Sequence, residues 1–176
     1  MKNFFTTKRL CRAGIIAALY TALTYAFAPL AFGPFQVRPA EALCILAVIY
    51  PEAIFALGVG CALSNLASPY AFYDVTFGSL ITLSAALFSY LVGSKLKNIP
   101  LKVFWGGFFP VILNAIFIPF LILFVGGGVE GSLLVAYFAS FGSLLLTQSV
   151  WVYGLGSPLY LALTRLRGKG LRFLCD

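Results

Sequence analysis

Apolar runs about as long as a bilayer is thick alternate with short polar breaks along most of the chain. About 20 helical residues cross the roughly 30 Å of hydrocarbon in a membrane, so each long run predicts a spanning segment. The first runs from about Leu10 to Leu30. Pro29, Gly33, Pro34 and Pro39 then define an irregular stretch, because proline removes a helical donor and clashes with the turn before it. The next run, about Ala40 to Tyr50, is too short to span alone. Its return across the membrane requires the preceding loop to dip in while covered by protein. Pro51 suits the first position of a third helix reaching about Ala67. A fourth helix covers about Val75 to Gly93, and a fifth about Val103 to Val125, with Pro110 and Pro119 inside it. The last run, Ser132 to Thr164, exceeds one span, and Gly154, Gly156 and Pro158 predict a kink or tilt. The pattern predicts an all-α integral membrane protein, a six-transmembrane-helix bundle forming a single membrane domain over residues 1–176.

Charge orients the bundle. Eleven of the twelve basic residues fall in three clusters flanking apolar runs. These are Lys2, Lys8, Arg9 and Arg12; then Lys95, Lys97 and Lys102; then Arg165, Arg167, Lys169 and Arg172. Six crossings put all three clusters on one side, which the positive-inside rule makes the cytoplasm, with both termini there. Five or seven crossings do not. The net charge of +7 is therefore a topology signal, not a nucleic-acid footprint. Arg38 is the exception, lying toward the outer side.

Polar groups deep in a membrane are costly and tend to face a cavity or a partner. On the six-crossing map Gln36, Arg38, Glu41, Asn65 and Asp74 all fall near the outer ends of the first four helices. Each has a purely structural reading. Arg38 and Glu41, three apart, suit a local ion pair, and Asp74 suits an N-cap of the fourth helix. Glu52 reads as a first-turn residue and Glu130 as a loop residue. Asn114, Gln148 and Trp151 suit either interhelical hydrogen bonds or a binding site. Tyr70, Phe72 and Tyr73 suit either an interfacial aromatic belt or a platform for a flat ring. Convergence favours a site for a planar heterocycle with several donors and acceptors.

On the first helix, Gly14, Ala18, Ala22 and Ala26 recur every four residues, with Ala13 and Ala17 alongside. Such a face admits close helix approach, either within the bundle or by a membrane partner. The four cysteines show no metal-ligand spacing and read as reduced thiols. The basic start and apolar run read as a retained helix, since no clean cleavage site follows. There is no Gly-rich phosphate loop with Lys-Ser/Thr, no histidine and no Gly-x-Ser-x-Gly element. Intrinsic ATP hydrolysis, His-based catalysis and serine hydrolysis are thereby disfavoured. No cofactor is expected.

The run Phe35-Gln36-Val37-Arg38-Pro39-Ala40-Glu41-Ala42-Leu43 resembles the first-loop motif of the QueT family. That family comprises substrate-binding S components of energy-coupling factor (ECF) transporters. Gly60-Cys61-Ala62-Leu63-Ser64-Asn65-Leu66 and Asp74-Val75-Thr76-Phe77-Gly78-Ser79 look like its next signatures, in order, and Asn114-Ala115 is similar to a weaker one. The resemblance implies a bacterial cytoplasmic-membrane protein that captures a queuosine precursor, a 7-deazaguanine bearing a cyano or aminomethyl group. It also implies partners: a transmembrane coupling subunit, met by Ala13, Ala17, Ala18 and Ala22, and two cytoplasmic ATPase subunits. Under this reading Glu41 or Asp74 accepts from the guanine-like edge. Gln36, Asn65, Asn114 and Gln148 complete a polar rim, Tyr73 or Trp151 covers the ring, and Arg38 orients a carboxylate. Rival readings are an S component for a different vitamin, a stand-alone channel or secondary transporter, and a membrane assembly protein.

Overall fold

A computed structural model describes residues 6–33, 36–125 and 132–169. Pro34, Phe35, the Gly126-Gly127-Gly128 turn, Glu130, Cys175 and Asp176 lie outside them. Every regular element among the described residues is helical. Helix α1 spans Thr7–Ala26, opened by the Thr6 side chain accepting from the Arg9 amide at 3.4 Å. A single turn at Ala28–Ala31 follows. Three rods are long and apolar enough to cross a membrane: Ala71–Gly93, Ile99–Leu123 and Leu133–Gly168. Two shorter apolar helices, Pro39–Val48 and Ala53–Asn65, complete the set. We term Ala53–Asn65 α2 and the three rods α3, α4 and α5.

Pro39–Val48 is the centre of the fold. It is a 3₁₀ helix in which all ten residues are buried, and it packs against α1, α3, α4 and α5. Such long 3₁₀ runs are uncommon. At about 2.0 Å per residue this one reaches about 20 Å, against about 15 Å for the same residues as α-helix. The tighter winding lengthens a run that its residue count alone makes too short to span. Cys44, Ile45 and Ala47 of this helix and Leu57 of α2 are fully buried and form the core with Tyr20 and Ile16 of α1.

Close approach shapes two of the interfaces. A Cβ at Gly60 of α2 would sit 3.0 Å from the Ala17 carbonyl oxygen, so only glycine lets α1 and α2 touch backbone to backbone there. A Cβ at Gly106 of α4 would fall 2.4 Å from Val48 Cγ2. The same turn of α4 carries a proline. Pro110 has no N–H, which leaves the Gly106 carbonyl without its helical donor. Ser89 of α3, fully buried, donates to that carbonyl at 2.7 Å. The helix break and the interhelical bond are one device.

Outward faces are apolar. Phe72 is 74% exposed, and Val135 and Leu146 are each 70% exposed. Patches of this extent suit a hydrocarbon solvent better than water. At one end of the fold, Arg12 of α1 meets Glu52 just before α2, with Nε 2.8 Å from Oε1 and both side chains buried. The Arg12 guanidinium also lies 4.5 Å from the Tyr50 ring centroid.

Several expected boundaries move. Helix α3 begins at Ala71, so Asp74 sits inside a continuous helical run and makes no N-cap bond. Helix α4 begins at Ile99, with Pro100 in its first turn. The last rod continues to Gly168 through a π-helical section at Val150–Leu155, near the expected kink.

Removing the Ser89 hydroxyl should strand the Gly106 carbonyl at a cost of about 1–3 kcal/mol. Ser89→Ala should therefore lower the melting temperature in detergent. In a Pro110→Ala background, where the helix supplies its own N–H, the same substitution should cost far less. Equal losses in both backgrounds would contradict this account of the bond.

Candidate functional site

A chamber of about 300 Å³ opens between four segments of the chain. Its wall includes Phe32, Gln36 and Arg38 from the strap before the 3₁₀ helix, and Ser68, Tyr70 and Asp74 from the α2–α3 junction. Pro119 and Ile122 of α4 and Ser140 and Leu144 of α5 close it. This volume is at the lower end of those that hold small organic ligands.

The strap is folded by its own backbone. The Gln36 amide donates to Gly33 at 3.1 Å and the Val37 amide to Leu30 at 3.0 Å. Gln36 takes φ of 46°, the one positive value at a non-glycine among the described residues. A side chain in that region costs of order 1–3 kcal/mol and persists only where its surroundings impose it. The result is a buried Gln36 whose Oε1 has no hydrogen-bond partner among the described residues. Arg38 is buried too, its Nε donating to the Ala31 carbonyl at 3.2 Å and its guanidinium 5.3 Å from the Phe32 ring centroid.

Asp74 is fixed from two sides. Asn65, at the end of α2, donates through Nδ2 to the Asp74 carbonyl at 2.8 Å and contacts Cys61 Sγ at 3.3 Å. Ser68 donates its hydroxyl to Asp74 Oδ2 and accepts from the Tyr70 amide at 3.1 Å. Asp74 also opens a π-helical turn, Asp74–Gly78, a local widening often found where helices carry function. The arrangement presents a buried carboxylate, an amide and a guanidinium to one small space.

The other expected site residues fall elsewhere. Glu41 is 1% exposed and does not line the chamber. It accepts from the Tyr20 hydroxyl at 2.6 Å and the Cys44 thiol at 3.1 Å, tying α1 to the 3₁₀ helix. No ion pair joins Arg38 to Glu41 or Asp74 among the described residues, so neither the local pair nor Arg38 as orienter of a carboxylate corresponds to a contact. Tyr73 lies in an apolar groove with Phe77, Leu80, Phe117 and Phe120. Trp151 is half-buried in the π-helical section of α5, away from the chamber wall. The aromatic rings of the chamber come instead from Phe32 and Tyr70. Asn114 and Gln148 are buried but do not line it. Gln148 lies one turn beyond Leu144 on the same face of α5, and its Oε1 has no partner among the described residues. The small-residue face of α1 divides. Ala13 and Ala17 pack on the core, whereas Gly14, Ala18 and Ala22 are exposed.

Comparison with known proteins gives a consistent lineage. A family profile described as QueT transporter matches residues 10–165. A protein of Lactococcus lactis subsp. cremoris (strain MG1363), described as queuosine precursor transporter QueT, is 34% identical over 112 residues. That match covers 62% of this chain and 62% of the relative, so the chain spans less than two thirds of the relative's length. No solved structure matches the chain.

Glu41 is held by the Tyr20 hydroxyl and the Cys44 thiol. Tyr20→Phe removes the donor to a buried carboxylate and should cost about 1–3 kcal/mol, read as a lower melting temperature without ligand. An unchanged melting temperature would mean that the Tyr20–Glu41 bond does not hold α1 to the core.

Proposed function

The chain belongs to the QueT transporter family, and from that premise we propose that it is the substrate-capture component of an energy-coupling factor importer for a queuosine precursor. The observation that carries this reading is the chamber, where Gln36, Arg38 and Asp74 converge on a space of about 300 Å³. A 7-deazaguanine is flat, brings N–H donors to a wall with open acceptors, and offers a ring carbonyl for a guanidinium. Phe32 and Tyr70 supply apolar cover for its faces.

In this reading the 3₁₀ helix is the second of six crossings. The Arg12–Glu52 pair lies at the cytoplasmic end, with both termini, and the chamber lies at the outer end. Capture from outside then needs no motion of the core, because the chamber is walled by the strap and the ends of α2, α3, α4 and α5. Energy must come from elsewhere, since the sequence carries no phosphate-binding loop. A transmembrane coupling subunit and two cytoplasmic ATPase subunits fill that role. The exposed edge of α1, with Gly14, Ala18 and Ala22, is the surface we assign to the coupling subunit. The protein works in the bacterial cytoplasmic membrane and needs no cofactor of its own.

Isothermal titration of the detergent-purified protein with 7-deazaguanines tests the reading. The wild type should bind, and Asp74→Ala or Gln36→Ala should weaken binding about tenfold or more, the effect of one or two lost hydrogen bonds. Tyr73→Ala, outside the chamber, should bind as the wild type does. Unaltered affinity in both chamber variants would sink the assignment.

A further inference from the structure

The two buried charges of the chamber wall, the cation Arg38 and the acid Asp74, are not joined to each other. Arg38 does not neutralise Asp74: its Nε is turned to the Ala31 carbonyl and its guanidinium lies near Phe32. The described bond to the Asp74 carboxylate comes from a neutral hydroxyl, that of Ser68. A largely buried carboxylate whose described donor is a neutral hydroxyl is stabilised when a cation joins it.

The uncharged groups lean the same way. Among the described residues of this half of the fold, the buried side-chain atoms without a partner are Gln36 Oε1, Asn65 Oδ1 and Gln148 Oε1. All three are acceptors. The Asn65 amide cannot simply be turned over, because its Nδ2 donates to the Asp74 carbonyl at 2.8 Å and a flip would set oxygen against oxygen. Apart from the Arg38 guanidinium, the groups in and against the chamber offer acceptors, Gln36 Oε1 and the Asp74 carboxylate first among them, and a ligand that brings donors and positive charge complements them.

Building on the deazapurine reading above, we propose that the chamber selects a cationic, donor-rich ligand, taking the protonated aminomethyl deazaguanine in preference to the neutral cyano compound. Asp74 is the counter-ion of the ammonium group. The nitrile offers only an acceptor at the same position and meets a carboxylate and an amide oxygen.

Titration of both compounds into wild type, Asp74→Asn and Asp74→Glu separates the possibilities, with melting curves confirming that each variant folds. In the wild type the aminomethyl compound should bind about tenfold or more tightly than the cyano compound, as a charge-assisted hydrogen bond provides. Asp74→Asn should abolish that ratio by weakening the amine alone, and Asp74→Glu should preserve the preference. Equal or tighter binding of the nitrile would overturn the proposal. So would an equal loss for both compounds in Asp74→Asn, which would place the carboxylate on the guanine edge that they share. If neither compound binds, the deazapurine reading is what fails. A thermal-shift panel of protonated and neutral heterocycles then decides the charge preference: stabilisation by protonated members supports it, and by neutral members alone refutes it.

Discussion

A ten-residue segment with no exposed side chain runs through the middle of this protein, and it constrains nearly everything around it. Pro39–Val48 can be buried on all sides only if its neighbours approach closely and its polar groups are satisfied internally. The first demand falls on glycine, as at Gly106 against Val48. The second falls on side chains. Glu41 has a carboxylate in the core and must find donors there, which Tyr20 and Cys44 provide. Winding as 3₁₀ rather than α completes the solution, because it lets ten residues reach further.

The same segment sets where chemistry is possible. Its N-terminal end begins at Arg38, immediately after a strap too irregular to satisfy itself as helix, and the chamber forms there. Near its other end Tyr50 and Glu52 meet Arg12. Polar groups are thus displaced to the two ends of an apolar core. The group at the chamber end includes unpaired acceptors and an acid whose described donor is a neutral hydroxyl, which is costly for folding and, in the proposed reading, useful for binding. Local strain at Gln36, with φ of 46°, belongs to the same pattern of stability given up at a site.

The sequence was legible where a residue broke its surroundings. Arg38, alone among the basic residues outside the three clusters, pointed to the chamber, and the outer set of Gln36, Asn65 and Asp74 lies in or against it. Glu41 shared the spacing and polarity of that set but faces the core, because spacing along a chain does not reveal the direction of a 3₁₀ side chain. Tyr73 and Tyr70 are three apart in one aromatic cluster, and the position of the first turn of α3 decides which faces the chamber. Ser140 and Leu144 carried no signal, since an apolar rod exposed on most sides gives no periodicity to read. The 3₁₀ winding was equally hidden: composition set the run's residue count and hydrophobicity, but its reach came from packing. The small-residue face of α1 was visible as a pattern, yet only the structure separates Ala13 and Ala17, which face the core, from Ala18 and Ala22, which do not.

The central claim is that one chamber, between the strap and the α2–α3 junction, holds the transported molecule. A structure determined with aminomethyl deazaguanine bound tests it most directly. The account predicts density for the ring between Phe32 and Tyr70, with the amine within hydrogen-bonding distance of Asp74. Ligand density in the apolar groove beside Tyr73, or anywhere else with the chamber empty, would contradict it.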